Sequence, residues 1–234
     1  MIGTLNEGAL HAQLKEWYRR DGDRLEQPVD GYVVDLVRGD LLVEIQTGDF
    51  APLRRKLDAL LATHTVRVVA PVALSRRIVR LSDDGEILSA RRSPKAGRLE
   101  DVFARLVSIP SLVAHERFEL EVVLTHEDEV RVHRPGRAWR RRGWVVTGRA
   151  LRDVDASVRI ASVDDVLRLL PAGLPATFDT AELAAAVRCD RRTAQQIAYC
   201  LRACGGIERS GTRGRAALYR TCVRNRLGPV QVDL

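Results

Sequence analysis

Glu44 and Gln46 stand two residues apart in the run Leu41-Leu-Val-Glu-Ile-Gln46. In an extended strand, residues two apart face the same side. A second apolar run, Tyr32-Val-Val-Asp-Leu-Val37, precedes it across Arg38-Gly39-Asp40, a hairpin-type turn signal. Asp30 opens the partner strand, near the end where Glu44 and Gln46 lie. Two carboxylates converging at one end of a hairpin make an oxygen-lined site for a hard divalent cation. Phosphodiester cleavage needs an activated water and neutralised charge on the leaving oxygen, and a carboxylate-held Mg²⁺ supplies both. Asp35 is a rival for Asp30. It lies only nine positions before Glu44, which reads as short for two ligands sharing a hairpin end. In the competing reading, Glu44 and Gln46 face solvent and Asp30 is a turn residue. A strand this apolar, followed by a crossover helix, is expected to be buried on both faces. There an unpartnered acid is costly.

The elements that must position these groups follow from periodicity and turn chemistry. Helices are predicted over 5–19 and 51–61, with strands over 32–37, 41–47 and 66–72. The helix between the second and third strands makes a right-handed crossover. Next come a small hairpin (78–81 with 86–90), a helix (99–107) and strands over 118–124, 130–132 and 143–148, with His126-Glu-Asp-Glu129 read as a turn. From about Ser162 the pattern becomes helical, over 163–170, 180–187 and 190–204. The last helix is capped by Asp190 and stopped by Gly205-Gly206. A hairpin (207–210 with 216–220) has a glycine-rich tip. The expected organisation is α/β (α+β), with a first domain over 1–154, β-rich from about 75, and a second over 155–234.

The chain has 234 residues and a formal charge of +7. Among 38 basic residues only Lys15, Lys56 and Lys95 are lysine. The excess is concentrated in the second half: 131–150 holds seven Arg and no acid, a distribution that favours a polyanion partner. The loop Arg134–Arg142 sets Trp139 among Arg137, Arg140 and Arg141, which suits a phosphate backbone or an unstacked base. The N-terminus lacks a leader pattern and no apolar window is long enough for a membrane span. The expected location is therefore cytoplasmic, with no membrane partner. Cys189, Cys200, Cys204 and Cys222 are then expected to be reduced. They read as a zinc set without a CxxC knuckle or as small core residues.

The Asp30…Glu44-x-Gln46 set, within the order helix, strand, strand, helix, strand, resembles the PD-(D/E)xK nuclease superfamily in its variant with Gln in place of Lys. The likeness covers about Thr4 to Val72. It implies a restriction-endonuclease-like mixed-sheet core, Asp30 and Glu44 as ligands of Mg²⁺ or Mn²⁺, Glu7 on the first helix as a further acid, and Gln46 orienting the attacking water. Val29 stands where Pro is usual, and Gln46 cannot serve as a cation. Lys56, on the next helix, is the nearby lysine that would help. About Ser162 to Arg220 resembles winged helix-turn-helix DNA-binding domains. By that likeness Arg191, Arg192 and Gln195 lie on the recognition helix, where such side chains read base edges. Arg213 and Arg215 lie at the wing tip, suited to phosphate. Together these imply a metal-dependent DNA endonuclease acting on duplex or branched DNA, alone, as a homodimer or with a partner subunit. The alternatives are a non-catalytic DNA-binding regulator with a degenerate nuclease fold, and an RNA-processing nuclease.

Overall fold

The computed structural model describes residues 8–222 and the backbone of 232–233. Its centre is an eight-stranded mixed sheet. Strands β1 (Arg24–Val29), β2 (Tyr32–Arg38) and β3 (Leu41–Ile45) form an antiparallel meander. Helix α2 (Arg54–Leu60), entered through a 3-10 turn at Ala51–Leu53, carries the chain over to β4 (Thr65–Leu81), which lies parallel to β3. Beyond the end of β3, the second half of β4 pairs with β5 (Ile87–Arg92). A short helix α3 (Phe103–Leu106) leads to β6 (Phe118–His133), parallel to β4, and β7 (Trp144–Ile160) is antiparallel to β6. The backbone of β10 (Val232–Asp233) returns to pair with β7.

Apolar alternation places a core on each face of this sheet. Helix α1 (Ala9–Tyr18) buries Leu10, Leu14 and Tyr18 on one face, against Leu36, Val43, Ile45, Val69 and Val123. The opposite face is covered by α2, α3 and a C-terminal helical unit. That unit consists of α4 (Val163–Arg168), α5 (Thr180–Val187), α6 (Arg191–Ala203) and the hairpin β8 (Ile207–Arg213) and β9 (Ala216–Thr221). Its helices start on capping side chains that satisfy the open N–H groups of the first turn. Asp179 accepts from Ala181 and Glu182 N–H, with Glu182 bonding back, and Asp190 accepts from Thr193 N–H. Leu183, Ile197 and Leu201 belong to the same continuous core as Phe103, Leu106 and Phe118. Arg98 donates to the main-chain carbonyls of Val187 (2.8 Å) and Arg188 (2.6 Å) at the end of α5.

Two expectations, on β1 and on His126–Glu129, are corrected. The helix expected over 5–19 is described from Ala9 only, and Glu7 lies outside the described residues. A strand not anticipated, β1, precedes β2; the polar alternation of Arg24-Leu-Glu-Gln-Pro-Val29 hid it beside a more apolar partner. The segment His126–Glu129 is not a turn: β6 continues through it between β4 and β7. Glu127 is fully buried there, with Thr125 Oγ1 donating to it at 3.0 Å and Arg76 and Arg149 nearby. The position expected for the division, 154/155, lies inside β7, whose pairing with β6 runs to Ile160.

A shared core makes the helical unit and the sheet one cooperative body. Ile197→Ala is expected to cost about 2–5 kcal/mol and to lower a single unfolding transition. Two separate transitions in calorimetry, with only one shifted, would contradict this.

Candidate functional site

The hairpin register decides which acid faces Glu44. β2 and β3 pair as Leu36 with Val43, Val37 with Leu42 and Arg38 with Leu41. Position 35 therefore lies opposite 44, one step beyond the last ladder pair. There the strands part and side chains take over the main-chain donors. Asp35 Oδ2 accepts the Ile45 N–H at 2.8 Å, and the Asp35 charge lies close enough to Glu44 to raise its carboxyl. The structure thus brings Asp35, not Asp30, to Glu44.

Asp30 is held elsewhere by its own local chemistry. Val29 pairs with Tyr32, so Asp30-Gly31 is a two-residue hairpin loop. Both residues have positive φ, 48° and 81°, as an Asp-Gly type I′ turn requires. The Asp30 side chain is half-exposed and lies 3.0 Å from His64 Nε2, just beyond α2. The nine-residue spacing that seemed too short is the one a hairpin with a two-residue turn produces for facing positions.

Two flanking helices complete the site. From α2, Lys56 Nζ lies 2.5 Å from Glu44 Oε1 and donates to the Val33 carbonyl at 2.6 Å. From α1, His11 Nε2 lies 3.1 Å from Asp35 Oδ2. Glu44 is 5% exposed. Burial first, then the neighbouring Asp35 charge, push its carboxyl up to about 7 against the opposing pull of Lys56. Burial also pushes Asp35 upward, but His11, the Ile45 N–H and Lys56 outweigh it and hold Asp35 below the usual carboxylate range. The pair therefore holds one firmly ionised acid beside one poised near neutrality.

Gln46 leaves β3 at the same end. Its main-chain N–H donates to Val69 O at 2.8 Å, and its side-chain amide donates to Asp49 O at 2.6 Å. His11 had no signal of its own in the sequence. Its place beside Leu10 and Leu14 on the buried stripe of α1 is what aims it at the seam.

The remaining candidates are dispersed. Arg137, Arg140 and Arg141 are exposed on the β6–β7 connection, with Arg140 5.1 Å from the ring centroid of Trp139, itself 80% exposed. Arg191, Arg192 and Gln195 are exposed on α6, opposite its buried Ala194, Ile197, Ala198 and Leu201. Arg213 and Arg215 are exposed on the β8–β9 hairpin, Arg213 pairing with Glu182 at 2.7 Å. The four cysteines are free thiols, and Cys200 and Cys204 are core residues. No group of three or more His, Cys, Asp or Glu gathered as a metal cage occurs among the described residues. No described helix is long and apolar enough to cross a membrane.

Comparison with known proteins adds a family. Residues 8–161 match the family described as "Domain of unknown function (DUF8091)". An "Uncharacterized protein" of Treponema pallidum (strain Nichols) is 32% identical over 224 residues, spanning 94% of this chain and 87% of that protein. No solved structure matches the chain significantly.

A carboxyl near 7 in the folded state and 4.5 in the unfolded one takes up a proton on folding between those values. Its contribution to stability is therefore present below about pH 4.5 and is lost as pH rises through about 7. Glu44→Gln removes that dependence. The melting temperature of the variant relative to wild type is expected to be higher at pH 8 than at pH 5. An equal difference at both pH values would remove the proton from Glu44.

Proposed function

The chain belongs to the DUF8091 family, and we propose that it is a metal-dependent nuclease of the PD-(D/E)xK kind, acting on DNA. The observation that carries this reading is the pairing of Asp35 with Glu44 across the open end of a hairpin, followed at two residues by Gln46 and joined by Lys56. The order of elements supports it: α1, a three-stranded meander, the crossover helix α2 and a parallel fourth strand.

The donor set fits a small divalent cation. Asp35 and Glu44 are neighbours across the hairpin end, and burial together with the Asp35 charge keeps Glu44 from full ionisation. Glu44 Oε1 is buried and receives no aligned hydrogen bond, its one close contact being the Lys56 ammonium. Mg²⁺ is commonly held by one or two carboxylates with its remaining positions taken by water and phosphate. Asp35 and Glu44 would hold a Mg²⁺ or Mn²⁺, which would supply charge neutralisation at the phosphate and a more acidic water. In this reading Lys56 provides the cation that Gln46 lacks and moves from Glu44 towards the phosphate. His11 orients Asp35 and holds it ionised. Gln46 rotates from the Asp49 carbonyl to position the nucleophilic water. The exposed Arg and Gln of α6 and the β8–β9 hairpin, arranged like a winged helix, hold the duplex and set its register.

The second reading, a DNA-binding protein that does not cut, is favoured by the present ties of the site: Glu44 is closed by Lys56, and Asp35 by His11 and the Ile45 N–H. A cleavage assay on plasmid and branched DNA with Mg²⁺ or Mn²⁺ separates the two. Asp35→Asn and Glu44→Gln are expected to lower the rate at least about a hundredfold, about 2.7 kcal/mol, while Asp30→Asn cuts as wild type does. Wild-type rates in Glu44→Gln, or no metal-dependent cleavage by wild type, would reject the nuclease reading.

A further inference from the structure

Beside the carboxylate seam, a cleft of 320 Å³ opens past the C-terminal end of β3, between β4, β7 and the chain at 95–97. Arg76, Lys95, Arg105 and Arg149 line it, against one lining acid, Asp101. That acid is engaged, since Asp101 Oδ2 accepts the Arg98 N–H at 3.0 Å. Glu127, buried behind the cleft, has to serve two of the cations. Its Oε2 is 3.6 Å from Arg76 Nε and 3.6 Å from Arg149 Nη1, beyond hydrogen-bond reach of both. Arg76 Nε is buried and has no hydrogen-bond partner among the described residues. Arg105 spends its donors on neutral carbonyls, Pro71 O at 2.8 Å and Gln46 O at 3.3 Å. Burial, and then the charge of Arg149, lower its pKa to about 10.

The cleft is thus built with more positive charge than its own acids neutralise, in a setting where unpaired charge is costly. It is also built tightly. A Cβ on Gly97 would fall 2.5 Å from the Ala73 carbonyl, which the Gly97 N–H meets at 2.9 Å. This close approach seats the turn carrying Lys95 over β4. On the other side the cleft touches the metal-site strand directly: Arg149 Nη2 donates to Thr47 O at 2.8 Å, the residue after Gln46.

We propose that this cleft binds a backbone phosphate of the nucleic acid adjacent to the phosphate placed at Asp35 and Glu44, and so sets the path of the strand across the end of β3. The inference rests on the nucleic-acid reading above. Tetrahedral phosphate matches several converging donors, and arginine is suited to bidentate contact with it. Free phosphate offers the same chemistry, so the test separates the two sources.

The experiment titrates a short labelled DNA duplex with the full chain in chelator, without cleavage, across a range of NaCl concentrations, for wild type, Lys95→Ala, Arg76→Gln and Arg149→Gln. Each lost phosphate contact is expected to flatten the slope of log affinity against log salt by about 0.9, with weakening on every sequence. Lys95→Ala keeps the test sound should the Arg149 variant fail to fold, because Lys95 is exposed. Inorganic phosphate is expected to compete with the duplex for wild type and less for Lys95→Ala. Unchanged slopes in both Lys95→Ala and Arg76→Gln would overturn the proposal, as would absence of duplex binding at low salt. Phosphate that raises the melting temperature of wild type but not of Lys95→Ala, with duplex affinity unaltered, would overturn it in favour of a small-anion site. Metal-dependent cleavage with unchanged slopes rejects this cleft and leaves the nuclease reading standing. Flattened slopes without cleavage support the cleft and reject the nuclease reading.

Discussion

The functional geometry depends on one break in a ladder. β2 and β3 pair up to Leu36 and Val43 and then separate. At the next position a carboxylate takes over as the acceptor: Asp35 Oδ2 receives the Ile45 N–H, with Glu44 beside it. A buried N–H must find an acceptor, and here the acceptor is also a charged group of the candidate site. The substitution anchors Asp35 while placing it close enough to raise the Glu44 carboxyl. Side chains converge on the seam from two layers, the Lys56 ammonium from α2 and the His11 ring from α1.

The rest of the sheet shows how this chain manages buried charge. On the α1 face, Tyr18 donates to Glu121 at 2.6 Å and accepts from Arg67 at 2.7 Å, while Arg67 also binds Glu119 at 2.6 Å. The Tyr18 hydroxyl, the Arg67 guanidinium and both carboxylates are joined there by hydrogen bonds, and the arrangement reads as structural. Farther along, Glu127 has two arginines at a distance and the Arg105 guanidinium has no carboxylate of its own. The contrast between a satisfied network and an unsatisfied one separates packing from ligand chemistry more sharply than the number of arginines does. A high arginine content alone says little; arginines held without anions say more.

The C-terminal helices lend this arrangement stiffness. Their apolar faces complete the core beneath α3, and Arg98 binds the carbonyl end of α5. The exposed basic side chains of α6 and of the β8–β9 hairpin therefore ride on the same rigid body as the seam. In the proposed reading, a polyanion gripped by one region would be presented to the other at a fixed separation. Such preorganisation lowers the entropy cost of a productive encounter.

Strong local signals were legible in the chain itself. The α/β class, the crossover helix α2, the Asp190 cap, the buried stripe of α6 and the β8–β9 hairpin follow from apolar periodicity, capping and turn residues acting within a few positions. Glu44 and Gln46 stood out for the same reason, as polar residues in an apolar strand. Asp35 and Lys56 were legible as a rival acid and a nearby lysine, but only tertiary structure set them against Glu44, and it alone brought in His11. Which acid faces Glu44 is set by register, and a misjudged turn moves that partner by several residues. Asp30-Gly31 carried the stronger turn signal and was spent on a turn. The long strands β6 and β7 were hidden because Glu127 and Asp128 look like a loop until arginines far off in sequence approach them, Arg76 and Arg149 at Glu127 and Arg77 at Asp128. Local propensity acts between neighbours and can be read from them; electrostatic compensation acts between residues that only the fold brings together.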